Sequence, residues 1–312
     1  MPMVRRLVCI CILSILFGGG AFGVEFINRA FTREDQTVFV SAFQRYARLR
    51  NGDGDVRTTY NPGAAAFGFH SLHGLLEVGF AVSYEEGTRK YRGDGYAYKV
   101  DSQTAGMTVF AGLNLPLGFY VDQSLYVGYG TFKGKDYHDD GNGRFRRTGD
   151  IHKYQAAASL EIGKVFGMPF GWSFVPHAGF EYSRAPEEVY NWGKSGGPRL
   201  KYHTRNVYEA SAGVTLGKTI RLFGLELTPS VDATAIHSFG RNDSMNYHPG
   251  FAYRTAKEWR VAGISGDHVG GRVRAGVDAS LGARLRLGAE YTFEKRKGYR
   301  DHRVSALLGL SF

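Results

Sequence analysis

The sequence predicts an all-β chain, a twelve-stranded antiparallel up-and-down transmembrane β-barrel, and three observations carry that prediction. Segments throughout the chain alternate apolar and polar side chains. The connections between them alternate long and short, and the final segment closes on an aromatic residue, Phe312. A period of two puts successive side chains on opposite faces of a strand, so each segment has one apolar face.

Composition removes the competing classes. Glycine is abundant, 43 of 312 residues, but has no three-residue period, which excludes a collagen-like chain. Hydrophobic residues at 43% and aromatics at 14% exclude a disordered one. The one long apolar run, Leu7 to Phe17, has eleven residues. A spanning helix needs about 20, so helices are not expected to carry this chain across a membrane.

The first element in chain order is a secretory signal peptide over residues 1–23. Arg5 and Arg6 precede the apolar run and a small-residue stretch follows it, with Ala21 and Gly23 fitting cleavage after Gly23. Cys9 and Cys11 lie inside this segment and neither follows a small residue, so a lipoprotein site is not expected. Residues 24–312 hold no cysteine, hence no disulfide and no thiolate for metal or catalysis. Residues 24–36 mix apolar and charged positions without a strand period and read as a short periplasmic or lumenal segment. The barrel is expected over 37–312.

The strands follow. Leu76, Val78, Phe80, Val82 and Tyr84 alternate with Glu77, Gly79, Ala81 and Ser83. Tyr154 to Gly163, Trp172 to Ser183, Tyr208 to Leu216 and Leu225 to Ala233 repeat the pattern. So do Arg272 to Leu281, Leu285 to Glu294 and Arg303 to Phe312. Stretches 37–50, 62–72, 98–114 and 118–132 supply the remaining strands, although the pattern does not separate their two faces. Long polar connections are read at 51–61, 85–97, 133–150, 184–203, 239–268 and 294–302. Short ones fall around residues 72–74, 114–118, 166–170, 220–224 and 282–284. Long outer loops and tight periplasmic turns have this asymmetry in an outer-membrane barrel, whereas a soluble sandwich or barrel has no reason to sort its loops by end. Aromatics fall where interfacial girdles belong: Tyr84, Tyr129, Tyr182 and Tyr291 toward the long loops, Tyr120, Phe170, Trp172 and Phe312 toward the turns.

With apolar faces toward lipid, the lumen-lining side chains are Glu161, Glu181, Glu209, Asp232, Arg272, Arg274, Asp278, Arg286, Glu290 and Arg303. Both signs are present, so structural pairing across adjacent strands is expected over ion selection. Leu308, Leu310 and Phe312 form an aromatic-terminated strand that resembles the insertion signal of outer-membrane barrels, with the barrel-assembly machinery as the implied partner.

The phrases Gly118-Phe-Tyr-Val-Asp-Gln-Ser-Leu-Tyr-Val-Gly-Tyr-Gly and Leu227-Thr-Pro-Ser-Val-Asp-Ala resemble the translocator domain of classical (type V) autotransporters. The ending Gly288-Ala-Glu-Tyr-Thr-Phe, followed by a strand closing in Leu-Ser-Phe, does so too. The resemblance covers about residues 37–312 and implies a twelve-stranded barrel in the outer membrane of a diderm bacterium. Family members carry a large passenger joined by a helix that threads the pore. Here only Val24 to Gln36 stands between the expected cleavage and the first strand, so the chain is read as passenger-free. Thirteen residues of helix reach about 20 Å, enough for a partial plug; a disordered stub is the other reading.

Enzymatic motifs are thin. His237-Ser238 could suggest a lipid hydrolase, but neighbours on a strand point to opposite faces. There is no Gly-x-Ser-x-Gly elbow and no His-Glu-x-x-His. His70 and His73 also fall on opposite faces, a poor metal pair. Asp53-Gly54-Asp55 and Asp139-Asp140-Gly141 lack the later ligands of a calcium loop, and Gly93-Asp94-Gly95 reads as a turn. No cofactor, metal or catalytic residue is expected.

The formal charge of +10 is dispersed among acids, and an exported chain is not expected to meet nucleic acid. Lys133, Lys135, Arg144, Arg146, Arg147, Lys194, Arg199, Lys201, Arg254, Lys257 and Arg260 lie in the long connections. They are either plainly solvated or meet outer-membrane lipids, lipopolysaccharide phosphates included. Phe239, Tyr247, Phe251, Tyr253 and Trp259 make 239–268 the most specific loop. The expected function is a monomeric, non-enzymatic membrane scaffold with a narrow or plugged pore, with a small diffusion channel as the alternative and a surface hydrolase behind both.

Overall fold

The computed structural model describes residues 36–50, 57–73, 75–93, 96–139, 144–187, 203–239, 245–247, 259–261, 268–282, 284–296 and 299–312. The expected signal peptide with Ala21 and Gly23, and the segment before Gln36, lie outside the described residues. So do Lys194, Arg199, Lys201, Arg254, Lys257, Phe251, Tyr253 and Asp53 to Asp55.

Twelve long strands form one antiparallel sheet. They are β1 (Gln36–Arg50), β2 (Arg57–His73), β3 (Leu76–Gly93), β4 (Tyr96–Asn114), β5 (Phe119–Asp139) and β6 (Arg144–Lys164). Then come β7 (Trp172–Glu187), β8 (His203–Lys218), β9 (Leu225–Phe239), β10 (His268–Leu281), β11 (Leu285–Arg296) and β12 (Tyr299–Ser311). Each pairs with its sequence neighbours, and β12 pairs with β1 from Thr37↔Ser311 to Leu49↔Tyr299, so the sheet closes. Closure removes both sheet edges and satisfies the backbone within the barrel, the condition for crossing lipid with strands.

The outer face is apolar along the middle of every strand. Val78, Phe80, Val109, Leu125, Ile162, Val214, Val231, Val277, Leu287 and Leu308 are all exposed. Such a continuous belt is far larger than a soluble monomer presents and matches the lipid-facing band of a membrane barrel. Tyr129, Tyr154, Tyr182, Tyr208, Phe239 and Tyr291 gather toward the long-loop end, with ring contacts such as Tyr129–Tyr154 at 5.0 Å and Tyr182–Tyr208 at 5.2 Å. Phe170, Trp172 and Phe312 are exposed at the turn end, as are Leu308 and Leu310 on the last strand.

Two expectations need correction. Tyr120 faces inward instead of joining the turn-side girdle, because its hydroxyl donates to Glu161 Oε1 at 2.8 Å and its ring lies over Gly163. Several long loops are shorter than read: β3 and β4 pair as far as Gly93↔Tyr96, β5 and β6 as far as Asp139↔Arg144, and β11 and β12 as far as Arg296↔Tyr299. Polar and charged residues occupy both parities of the sequence there, so alternation fades while backbone pairing continues. Lys133, Lys135, Arg144, Arg146 and Arg147 therefore stand on strands. In 239–268, Met245–Tyr247 pairs with Trp259–Val261, placing Tyr247 opposite Trp259 and Asn246 opposite Arg260.

The turn end is tight and repetitive. Leu117 and Gly118, Phe170 and Gly171, and Phe223 and Gly224 all have positive φ, from 48° to 83°. Each glycine carbonyl then accepts from the residue that opens the next turn-end connection: Val165 N to Gly118 O at 2.8 Å, Thr219 N to Gly171 O at 2.8 Å and Gly282 N to Gly224 O at 3.3 Å. Ser311 N donates to Arg284 O, and Phe312 N to Gln36 O, which ties the chain's last residues into the same rim.

Candidate functional site

The interior of the barrel is where the chain's chemistry collects, and it has two unlike walls. Strands β1 to β5 present mainly rings against small residues, with buried Glu77 and half-buried Asp122 together over Gly112, and Arg45 on β1, among their inward charges. Phe39, Ala81 and Phe110 pack with Leu307 of β12 into one buried cluster, and the Phe39 and Phe110 rings lie 6.2 Å apart. Phe39 covers Gly68, Phe110 covers Gly79, and Tyr126 covers both Gly106 and Gly128. A glycine inside a strand marks such a close approach.

Strands β6 to β12 present charge. Register puts Asp232 directly opposite Arg274, and Arg274 Nε donates to Asp232 Oδ1 at 3.0 Å. The same carboxylate accepts from Thr215 at 2.8 Å and Thr234 at 2.7 Å, and pairs with His177 Nε2 at 2.7 Å. His177 Nδ1 lies 3.7 Å from Glu161, which Tyr120 also meets. Nearer the long loops, Arg272 donates to Glu209 at 3.0 Å and to Glu294 at 3.1 Å. Arg296 joins the same two carboxylates, each at 2.5 Å, and also meets Ser238. Two guanidiniums and two carboxylates thus close a ring of charge-assisted bonds. Next to it, Arg45 pairs with Asp301 at 2.8 Å and donates to the Tyr299 hydroxyl, while Arg303 lies over the Phe43 ring.

Asp232, Arg272, Arg274, Arg286, Arg303 and Glu209 are buried within the closed sheet, and Glu161, Glu181, Asp278 and Glu290 are half-buried on its same face. Glu181 stands opposite Glu209 in register. Asp278 stands opposite Gly288, which Arg286 and Glu290 flank. Reading the sequence did not single out His177, Glu294, Arg296, Arg45 or Asp301, and it put Tyr120 on the outer face. Their signal was available only as charged or polar residues at inward parity, without their partners. His237 is exposed on the outer face, whereas Ser238 is buried inside and bonds Glu209. The two cannot act on one substrate atom.

The outer face carries a second feature at the β1–β12 closure. Register places Phe293, His302 and Tyr46 side by side, and Lys295, Arg300 and Arg48 side by side two residues further from the membrane belt. All three cations are exposed, and among the described residues none joins an ion pair.

A family profile described as the autotransporter beta-domain matches residues 38–292. The BrkA autotransporter of Bordetella pertussis is 27% identical over 230 residues, covering 72% of this chain and 21% of that protein. The autotransporter adhesin/invasin TibA of Escherichia coli is 24% identical over 222 residues, covering 71% and 21%. The chain therefore spans about a fifth of the length of the curated relatives it matches. The solved beta domain of BrkA superposes with a TM-score of 0.66 at 19% identity, covering 89% of this chain and all of that one. The translocator domain of NalP from Neisseria meningitidis does so at 0.64 and 15%, covering 93% and 92%. With its closed twelve-stranded sheet and apolar outer belt, the chain belongs to the autotransporter beta-domain family and is an outer-membrane β-barrel.

Proposed function

We propose that the barrel is a non-enzymatic outer-membrane anchor whose lumen holds one polypeptide segment and does not serve free diffusion. The observation that carries this is the pair of interior walls. Twelve strands at ordinary spacing and tilt set opposite backbones about 24 Å apart. A layer of side chains on each wall, about 6 Å deep, leaves a bore close to the 10–12 Å diameter of a single helix. Much of the charged wall is paired within itself, as Asp232 with Arg274 and Arg272 with Glu209 and Glu294 are, so an occupant meets an ordered, polar surface. The first described residue, Gln36, stands at the turn end beside Phe312, which supports reading the segment that precedes the barrel as a lumenal one. The segment expected over residues 24–36, up to the start of β1, is the proposed occupant.

Single-channel recording tests this. A form comprising residues 24–312 should be electrically silent in planar bilayers, and one comprising 36–312 should conduct. Stable conductance in the longer form would replace this reading with a diffusion channel.

The outer-leaflet partner follows from the closure seam. Phe293, His302 and Tyr46 suit the lipid interface, and Lys295, Arg300 and Arg48 suit the phosphates of lipopolysaccharide just above it. The variant Arg48→Gln/Lys295→Gln/Arg300→Gln should copurify with several-fold less lipopolysaccharide than the parent; equal amounts would exclude the seam as the contact.

A further inference from the structure

The three positive-φ turns carry the wrong residues for their backbone if the turns serve only to reverse the chain. Two successive left-handed positions favour Asn-Gly or Asp-Gly, because a larger side chain at the first is strained. Here the first position is Leu117, Phe170 or Phe223 (φ 64°, 61° and 48°). These side chains gain nothing within the barrel, since they are 83%, 91% and 106% exposed. Two of the glycines that follow are fixed by space as well as by positive φ, and Gly224 by its φ of 83° alone. A Cβ at Gly118 would lie 2.6 Å from Val165 O, and one at Gly171 would lie 2.6 Å from Thr219 O. The turn-to-turn hydrogen bonds through Gly118, Gly171 and Gly224 hold the three tips in one linked row. Three consecutive turn-end connections thus present strained, mutually hydrogen-bonded and exposed apolar tips.

Their surroundings point to an occupant. Beside the tips stand Leu115, Phe119, Phe166, Trp172 and Leu222, all exposed apolar residues of the turn end. On the same outer face Lys164 Nζ lies 4.5 Å from the Phe119 ring centroid and 4.7 Å from that of Phe166, and Lys218 Nζ lies 5.1 Å from that of Trp172. Ammonium groups held over interfacial rings stand at the level of lipid phosphate. We propose that Leu117, Phe170 and Phe223 are an apolar anchor row that seats this half of the rim in the periplasmic-leaflet headgroup region, with Lys164 and Lys218 bound to anionic phospholipid phosphates. The proposal uses the membrane placement of the family and is independent of what the lumen holds.

Asparagine substitution separates function from turn strain. Asn tolerates positive φ better than Leu or Phe, so Leu117→Asn/Phe170→Asn/Phe223→Asn relieves all three turns. If the tips anchor the barrel, the full chain refolded into vesicles of phosphatidylethanolamine and phosphatidylglycerol should unfold at a lower urea concentration despite that relief. In Lys164→Gln/Lys218→Gln the advantage of phosphatidylglycerol over purely zwitterionic vesicles should disappear. Heat-modifiable gel mobility verifies folding, and Phe223→Asn alone serves if the triple variant does not fold. An unchanged or raised urea midpoint overturns the anchor. Unchanged vesicle stability with slowed assembly in cells overturns it too, in favour of a periplasmic protein that reads the tips.

Discussion

The two interior walls solve the same problem in opposite ways. Strands β1 to β5, apart from charges such as Glu77, Asp122 and Arg45, exchange volume: a ring on one strand occupies the space that a glycine leaves on the next, as Phe110 does over Gly79 and Tyr126 over Gly106. Strands β6 to β12 exchange charge: Asp232 gathers Arg274, His177, Thr215 and Thr234, and Glu209 and Glu294 bracket Arg272 and Arg296. The outer face is the same apolar belt around the whole circumference. Lipid therefore does not dictate which solution is used. The difference lies in what a substitution leaves behind. Losing a ring opens a cavity, whereas losing a carboxylate strands several donors and a guanidinium in a buried place.

The largest expected effect follows from that asymmetry. Removing one partner of a buried, hydrogen-bonded pair costs about 3–5 kcal/mol, while replacing both by apolar groups can be nearly neutral. Asp232→Ala should therefore lower the urea midpoint of the barrel in lipid vesicles by the largest amount of any single lumenal change. Asp232→Leu combined with Arg274→Met should cost clearly less than the two single changes summed. Additive costs would mean that the pair is not the unit of stability on this wall, and the comparison between the walls would fail.

How much of this was legible in the sequence depends on the wall. Strands β10 to β12 read directly, because their inward positions are Arg, Gly, Asp, Glu and Ser against an outward row of Val, Ala and Leu. In β1, β4 and β5 the faces did not separate, since Phe39, Phe110 and Tyr126 make inward positions as apolar as outward Val38, Val109 and Val127. The glycine that accepts each ring sits on a neighbouring strand, and only register joins the two. Register also hid the charge pairs. Parity marks Asp232, Arg272 and Arg274 as inward, but that Arg274 faces Asp232 and that His177 reaches the same carboxylate across β8 are facts of alignment between strands. The apolar tips were present in the text as Pro-Leu-Gly, Pro-Phe-Gly and Leu-Phe-Gly. Their positive φ and full exposure were not, because those turns read as ordinary tight connections.

The smaller test sharpens the volume side. A Cβ at Gly79 would overlap the Phe110 ring and lie 2.6 Å from the Phe69 carbonyl oxygen. Overpacking of this kind costs about 1–3 kcal/mol when neighbours must shift. Gly79→Ala should thus lower the urea midpoint by less than Asp232→Ala does. In a Phe110→Ala background the ring is gone, and the same Gly79→Ala change should cost less than in the parent. The part that persists measures the backbone contact to Phe69, and the part that vanishes measures the ring in the glycine gap. If Gly79→Ala costs the same in both backgrounds, the ring is not what excludes a side chain there. The fit of ring to glycine would then be a consequence of strand pairing, and charge would be the only wall with a specific partner to lose.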